Sequence, residues 1–355
     1  MKKFLSIVMV LAVTLLLSSP VLAETEDGGS QANHSQLMVT ATNNTTDNQL
    51  LVYNNAGQLI QTVSTGGQGG VGGNSGGIEA NGNMLAVVNF GSMNVSIFQR
   101  SGNSLSLSQT VATSASPVSV AFGHNHLYVL DTTKVESYSV NNNVVASTSD
   151  SSDPLLLADC SAAQVGVLNN QLIITEKNNV IETVNLAGDG TVTGSATLVQ
   201  NIPSNVNAPF GLVTQGNNAY VTIAHADEIS LIKNGMVVTT TPSVTQHAPC
   251  WVALVNKSDN TFLYSSNSPS KSISRYVVDG HKIVQDLAVA ASLNGSPTDI
   301  TSNHGTVAVI DSNGTDSHLS VFTTDASGNL TLSNTITTTL GVNGVAILSS
   351  QQQDE

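Results

Sequence analysis

The chain alternates short apolar runs with short polar turns, and the same unit returns along most of its length. Each clear copy has a proline and an apolar strand, then a polar turn and a second strand that ends in a polar residue. The first strands of six such units begin at or near Gly77, Pro117, Ala162, Pro209, Pro249 and Pro297. Their spacing of roughly 40 to 48 residues is typical of the four-stranded antiparallel blades of a β-propeller.

The two ends of the repeat complete one another. Leu37–Ala41 matches the second strand of a unit and has no first strand before it, whereas residues 342–348 match an isolated first strand. Together they make a seventh unit. The pattern therefore predicts an all-β, seven-bladed β-propeller whose ring is closed by pairing of the N- and C-terminal strands, which removes exposed sheet edges. An open β-sandwich is the alternative.

The first residues have the pattern of a secretory signal peptide. Two lysines precede an apolar run over residues 4–17, and small residues lead to Ala23. The alternative is an amino-terminal membrane anchor, although the run is shorter than the roughly 20 residues that span a bilayer. We predict a signal peptide over 1–23, a disordered spacer over 24–36, one propeller domain over 37–350 and a tail over 351–355. The mature protein is expected to be secreted, either to the periplasm or to the extracellular space.

Charge narrows the expected partners. The formal net charge is −14, and only 10% of residues are charged. A chain this acidic is not expected to bind nucleic acid or to insert into a membrane. The expected partner is a small-molecule or carbohydrate ligand, or an extracellular or envelope protein, and the expected state is a monomer. Cys160 and Cys250 could form one bridge, or stay as two buried thiols.

The repeat also predicts where a site would lie. In a propeller the first strands begin, and the second strands end, at the same mouth of the central channel. Second-strand ends supply Asn89, Asp131, Glu176, Asn267 and Asp311. First strands supply, two residues after the proline or its equivalent, Ser119, Gln164, Gly211, Trp251 and Asp299. The alternative for the polar residues is that they hydrogen-bond turn backbone.

The chemistry of the side chains at the predicted mouth indicates a role for each of them. We predict Glu176 as the catalytic base or a ligand, Lys177 as its electrostatic partner, and His225 as a second candidate base, with His247 as the other histidine that could approach the mouth. The predicted substrate-binding residues are Asn89, Gln164, Trp251, Asn267 and Asp299. Trp251 would form an apolar wall.

Convergent carboxylates repel one another unless they are protonated, hydrogen-bonded or neutralised. A divalent cation such as calcium, held by Asp131, Glu176 and Asp311, is therefore the cofactor hypothesis. The glycine-rich residues 66–73 could suggest a phosphate loop, but no Lys-Ser/Thr pair follows them. They are predicted to be a flexible connection between blades. No Gly-x-Ser-x-Gly elbow occurs in a strand-to-helix setting, so a serine hydrolase is not indicated.

Several segments resemble the lactonase-like family of seven-bladed propellers, known from bacterial 6-phosphogluconolactonase and fungal carboxymuconate lactonizing enzyme. They lie in family order at residues 65–67, 163–166, 174–177, 208–211 and 248–252. The resemblance covers nearly all of the chain after residue 36 and looks closest to the secreted branch. It implies a propeller fold and ring-opening hydrolysis of a lactone.

The sequence departs from that family in its cations. The characterised members bind phosphate or carboxylate groups with arginine and histidine, whereas this chain has only Arg100 and Arg275. The expected activity is therefore hydrolysis of a neutral lactone or a similar small molecule. The alternatives are a non-catalytic binding propeller and a structural extracellular protein.

Overall fold

The computed structural model describes residues 36–202 and 208–349. Over these ranges the strands form seven antiparallel sheets, and the all-β, seven-bladed propeller is confirmed. The predicted signal peptide and tail, and all of the predicted spacer except Gln36, lie outside the described residues. None of the described helices is long and apolar enough to cross a membrane.

Blades 1 to 3 hold the first part of the described chain and its last strand. Blade 1 contains β1 (Leu37–Ala41), β2 (Gln49–Tyr53), β3 (Leu59–Ser64) and β29 (Asn343–Leu348). Blade 2 contains β4 (Ile78–Asn81), β5 (Met84–Asn89), β6 (Asn94–Ser101) and β7 (Ser104–Ala112). Blade 3 contains β8 (Pro117–Gly123), β9 (His126–Asp131), β10 (Lys134–Asn141), β11 (Val144–Val145) and β12 (Ser151–Pro154).

Blades 4 to 7 are regular four-stranded meanders. Blade 4 contains β13 (Ala162–Val167), β14 (Gln171–Glu176), β15 (Val180–Leu186) and β16 (Val192–Leu198). Blade 5 contains β17 (Pro209–Gln215), β18 (Asn218–Ile223), the 3-10 turn Ala224–Ala226, β19 (Glu228–Lys233) and β20 (Met236–Pro242). Blade 6 contains β21 (Pro249–Asn256), β22 (Thr261–Asn267), β23 (Ser272–Val278) and β24 (Ile283–Ser292). Blade 7 contains β25 (Ser296–Asn303), β26 (Thr306–Ser312), β27 (Ser317–Thr324) and β28 (Leu330–Thr338).

The ring closes as predicted. β29 is the innermost strand of blade 1 and pairs with β1, so that Leu37 lies opposite Leu348. The hydroxyl of Thr40 also donates a hydrogen bond of 2.7 Å to the carbonyl of Gly344. Because the last strand is hydrogen-bonded to the first, the two ends of the described chain hold the ring shut.

A bulge repeats at the start of most inner strands. In blade 3, Pro117 pairs with Asp131, but the next pair is Ser119 with Leu130, so one residue of the inner strand is extra. Blades 4, 6 and 7 show the same shift, which places Gln164, Trp251 and Asp299 level with Ser119. In blade 1 the equivalent residue is Val345.

Neighbouring blades pack through apolar faces and through buried tyrosines. Tyr128 in β9 donates a hydrogen bond of 2.7 Å to the carbonyl of Gly190 in an outer turn of blade 4. Tyr264 occupies the equivalent position in β22 and donates one of 2.6 Å to Gly328 in blade 7. Both rings are fully buried. Each hydroxyl therefore satisfies a carbonyl of the next blade while its ring fills the interface.

Truncation tests the closure. Ending the chain at Leu340 removes β29 and exposes the edge of β1, so we expect a lower melting temperature and self-association, because an unpaired apolar edge recruits other strands. Size-exclusion chromatography and thermal unfolding measure both effects. A chain that ends at Ser349 retains β29 and serves as the control. A monomeric Leu340 variant that melts with the full-length protein would contradict the closure.

Candidate functional site

The second-strand ends occupy one register in the ring, but their side chains are buried in five separate blades. All five predicted side chains are fully buried: Asn89, Asp131, Glu176, Asn267 and Asp311. Asp131 accepts hydrogen bonds from the backbone N–H groups of Thr133 and Lys134, at 2.6 and 2.8 Å. This is the hydrogen bonding of a turn that an aspartate after a strand commonly makes.

The amide and carboxylate side chains at this level hold the second and third strands together. The Nδ2 atoms of Asn89 and Asn267 donate to Ser96 and Ser274 at 2.7 and 2.8 Å. Asp311 lies 2.9 Å from Nδ1 of His318. The predicted metal ligands Asp131, Glu176 and Asp311 thus lie in three different blades. Within the described ranges, no three His, Cys, Asp or Glu side chains are grouped so that they could hold a metal ion.

Glu176 lies in a buried acidic pair. Its Oε1 accepts a hydrogen bond of 3.1 Å from the N–H of Leu157, and Glu182 accepts one of 2.9 Å from Leu156. Burial, together with the nearby Glu182, raises the pKa of Glu176 to about 8. Burial likewise raises the pKa of Glu182 to about 7. The connection between blades 3 and 4 therefore covers two carboxyl groups that retain protons near neutral pH.

Lys177 and His225 line a different, shallow pocket of about 390 Å³, together with Phe210 and Cys250. The Lys177 ammonium donates to the carbonyls of Gly73 and Ala162, at 2.7 and 3.2 Å. Burial lowers the pKa of Lys177. Its hydrogen bonds tie the glycine-rich segment to blade 4. Glu176 does not line this pocket, so the three predicted catalytic residues do not share one cavity.

Both thiols are free. Cys160 is exposed and Cys250 is partly buried, so the alternative of two unbridged thiols describes the structure, although Cys160 is not buried. Burial raises the pKa of Cys250 to about 12, which keeps its thiol protonated and unreactive at neutral pH. The exposed His247 pairs with Asp227 at 2.8 Å.

The predicted mouth is closed by a segment that we call the plug, residues 73–77. Within the plug, Asn74 contacts three blades. The carbonyl of Asn74 accepts a hydrogen bond of 3.1 Å from Nε1 of Trp251 in blade 6, and its Nδ2 donates one of 2.6 Å to Val118 in blade 3. Its Oδ1 accepts a third, of 3.1 Å, from Asn343 in blade 1. Contacts from blades 1, 3 and 6 place Asn74 near the axis of the ring.

Glycine gives the plug its close fit. The N–H of Ser75 donates to Ala163 at 3.1 Å, and the carbonyl of Gly76 accepts from the N–H of Val120 at 2.9 Å. A Cβ at Gly76 would lie 3.0 Å from Oγ of Ser119, and φ of Gly76 is +64°. The flexible connection was predicted for residues 66–73, and of the plug only Gly73 lies in that range, where it accepts a hydrogen bond from Lys177. Glycine here permits close approach of backbone to the inner strands.

Trp251 belongs to this closed end. Its ring packs edge-on against Phe210, with centroids 5.2 Å apart, and its indole N–H is bound to the plug. The side chain is buried. Trp251, Asn89 and Asn267 do not line the channel cavity described next.

A cavity of about 600 Å³ lies behind the plug and is lined mainly by the inner strands. Two predicted residues, Gln164 and Asp299, line it. The Oε1 atom of Gln164 accepts a hydrogen bond of 2.7 Å from Leu212, which orients the amide, and its Nε2 lies beside Gly76. The structure thus brings these two residues to one cavity.

The cavity holds a second carboxyl group that sequence reasoning missed. Glu79 lies one residue after Ile78 in β4, level with Ala121, and therefore two residues deeper than the level of Asp299. That offset corresponds to roughly 7 Å along the channel. Its signal in the sequence was a charged residue in a weak copy of the repeat, where other blades have Ala121, Gly166, Val213, Ala253 and Thr301.

The protein environment raises the pKa of both carboxyl groups. Burial raises the pKa of Asp299 to about 7, opposed by hydrogen bonds from the N–H groups of Ile300 and Val345. Burial raises the pKa of Glu79 to about 8, opposed by the N–H of Phe122. Among the described lining residues there is no lysine and no arginine. One cavity therefore contains two carboxyl groups that titrate near neutral pH, and neither of the side chains, lysine and arginine, that usually bind an anionic ligand.

Comparison with known proteins shows a similarity to lactonase-like propellers in fold and not in sequence. No family model matches the chain, and no curated protein matches it. A periplasmic gluconolactonase of Pseudomonas aeruginosa is 15% identical with a TM-score of 0.63, over 90% of this chain and 99% of that one. A candidate 6-phosphogluconolactonase of Bacteroides uniformis is 13% identical with a TM-score of 0.64, over 89% and 99%.

A protein of unknown function from Desulfotomaculum acetoxidans is 12% identical with a TM-score of 0.65, over 89% of this chain and 99% of that one. The resemblance to 6-phosphogluconolactonase-like and gluconolactonase propellers is therefore confirmed for the fold. At these identities the likeness extends to the architecture and not to the catalytic residues.

The pH dependence of stability tests whether Glu176 is held protonated in the folded protein. Its raised pKa means that the folded state keeps a proton that the unfolded state releases from about pH 4.5, so stability falls as pH rises and levels off above about pH 8. Glu176→Gln removes this loss and keeps an acceptor for Leu157. We expect its melting temperature to exceed that of the wild type by several degrees at pH 9, and to match it at pH 4.

Thermal unfolding from pH 4 to pH 9 measures the difference. Glu228→Gln, at the partly exposed start of β19, is the control and should follow the wild type throughout. Equal melting temperatures of Glu176→Gln and wild type at pH 9 would show that Glu176 is not held protonated.

Proposed function

We propose that this protein is a ring-opening hydrolase of a neutral lactone and that the reaction takes place in the channel cavity. The observation that carries the proposal is the pair Glu79 and Asp299, two carboxyl groups with raised pKa in one cavity of about 600 Å³. Similarity of fold to a periplasmic gluconolactonase and to a candidate 6-phosphogluconolactonase supports the reaction class.

The two carboxyl groups suit opposite tasks. With the lower pKa, Asp299 is the group that ionises first, and as a carboxylate it takes a proton from a water molecule that attacks the lactone carbonyl carbon. With the higher pKa, Glu79 keeps its proton and donates it to the ring oxygen as the ring C–O bond breaks. A new C–O bond to the water oxygen forms, and the product is a hydroxy acid.

Gln164 suits the substrate carbonyl. Its Oε1 is held by Leu212, so its Nε2 is the part of the amide that can donate to a ligand. A donor directed at the carbonyl oxygen stabilises the negative charge that develops there during attack. In this proposal Gln164 and Asp299 keep their predicted place at the substrate, and Glu79 joins them.

The charge of the cavity favours a neutral substrate. A phosphate or carboxylate group would meet two acids and, among the described lining residues, no lysine or arginine. Lys177, the lysine of the predicted catalytic set, lines another pocket and is bound to Gly73 and Ala162. We further propose that the protein is secreted, on the strength of the signal-peptide pattern in residues 1–23.

Lactone hydrolysis tests the proposal directly. We expect the purified protein to open a neutral sugar lactone, monitored by proton release, with a bell-shaped rate profile that rises as Asp299 deprotonates near pH 7 and falls as Glu79 deprotonates near pH 8. Asp299→Asn and Glu79→Gln should each lower kcat by about 10²–10⁴-fold.

Asp316→Asn, in the turn after β26, removes a carboxylate outside the cavity and is the matched control. Saturable binding of the lactone without turnover would replace the hydrolase with a binding propeller. Turnover that Asp299→Asn and Glu79→Gln leave unchanged would move the chemistry out of the channel.

A further inference from the structure

Exposure differs between the two ends of the inner strands. The residues at or near their beginnings, Ser119, Ala162 and Pro209, are buried. Those at or just after their ends, Asn169, Gln215 and Asn256, are exposed and line the same cavity. Because inner strands of a propeller run in one direction, all their ends lie at one mouth of the channel. The cavity therefore meets solvent at the end opposite the plug.

The plug is held in place by hydrogen bonds from four blades. Hydrogen bonds from blades 1, 3 and 6 converge on Asn74, which is 2% exposed. Ser75 and Gly76 continue into backbone hydrogen bonds with blades 4 and 3. Lys177 adds a hydrogen bond of 2.7 Å to Gly73 from blade 4. A segment held from four blades fills that mouth, and a ligand that entered there would have to break these bonds.

The open mouth has a polar rim, which includes His124 directly after β8. It contains three amide side chains, Asn169, Gln215 and Asn256, and Nε2 of Gln215 donates a hydrogen bond of 2.9 Å to Oδ1 of Asn256. Ser302 lies at the same end of β25. Amides and hydroxyls offer donors and acceptors without charge, which suits the passage of an uncharged polar molecule.

We infer that the channel is a one-ended binding pocket, with the plug as its floor and the ring of Asn169, Gln215, Asn256 and Ser302 as its entrance. Ligands reach Glu79 and Asp299 past this rim and not through the mouth at which the inner strands begin. Only the identity of the ligand rests on the proposed function. The route rests on the burial, hydrogen bonds and exposure of the described residues.

Thiol labelling tests the route without any assay of activity. Thr301 lines the cavity level with Glu79, so Thr301→Cys places a probe inside the channel. The two native thiols are first removed with Cys160→Ser and Cys250→Ala. N-ethylmaleimide, a small uncharged reagent, is added, and mass spectrometry follows the labelling rate.

Pairs of tryptophan substitutions, one pair at each end of the channel, then test which end the reagent passes. We expect the rim pair Asn169→Trp with Asn256→Trp to slow labelling by at least about tenfold. The matched pair at the plug end, Gln68→Trp with Asn178→Trp, also replaces exposed polar residues and should leave the rate within about twofold. If the rim pair does not fold, as judged by circular dichroism, Gln215→Trp places similar bulk at the same rim.

The outcomes test the entrance route independently of lactone hydrolysis. Unchanged labelling in the folded rim variants, or slowed labelling in the plug-end pair, overturns the one-ended pocket. Adding Asn74→Ala to the rim pair removes two side-chain bonds of the plug and should restore part of the lost rate. A protein that hydrolyses no lactone still gives a labelling result, so failure of the proposed function is distinguishable from failure of this inference.

Discussion

The pairing of β29 with β1 is the constraint on which the ring depends. It fixes the start of β29 at the same mouth as the other inner-strand starts, and it places Val345 level with Asp299. The N–H of Val345 then lies where it can hydrogen-bond the Asp299 carboxyl. The last strand thereby contributes to the environment of a proposed catalytic group, so closure and the chemistry of the cavity are connected through one backbone N–H.

Closure alone would leave a channel open at both ends. The plug changes this, and it can do so because the chain between β3 and β4 is rich in glycine. A side chain at Gly76 would meet Ser119 and Gln164, and residues at positive φ allow the segment to turn tightly inside the ring. Gly73 belongs to the run predicted to be a flexible connection, and Gly76 lies just beyond it, so glycine in this part of the chain permits a segment packed at the ring axis. Its closeness to Gln164 makes the plug part of the cavity wall.

Much of the architecture could be predicted from the sequence because repeat spacing and strand alternation are local patterns. The seven blades and the terminal closure were predicted correctly, and Gln164 and Asp299 were placed at the level that lines the channel. The position of Glu79 could not be found in this way because its copy of the repeat is weak. The plug could not be found either, since its contacts join Asn74 to residues 44 and 177 positions away in the chain.

The second-strand ends show why a shared register does not make a shared site. Asn89, Asp131 and Asp311 are equivalent in their blades, yet their partners differ. Asp131 is bound to its own turn and Asp311 to its third strand, whereas Asn89 is bound to its third strand and to Asn48 and Thr65 of blade 1. A buried polar group needs a hydrogen-bond partner, and these side chains find theirs in the strands and turns that surround them. Asp299 and Glu79 differ because they lie on inner strands, where the next surface is the channel and not another strand. Position beside the axis, more than position in the repeat, decides which carboxyl groups remain available for a ligand.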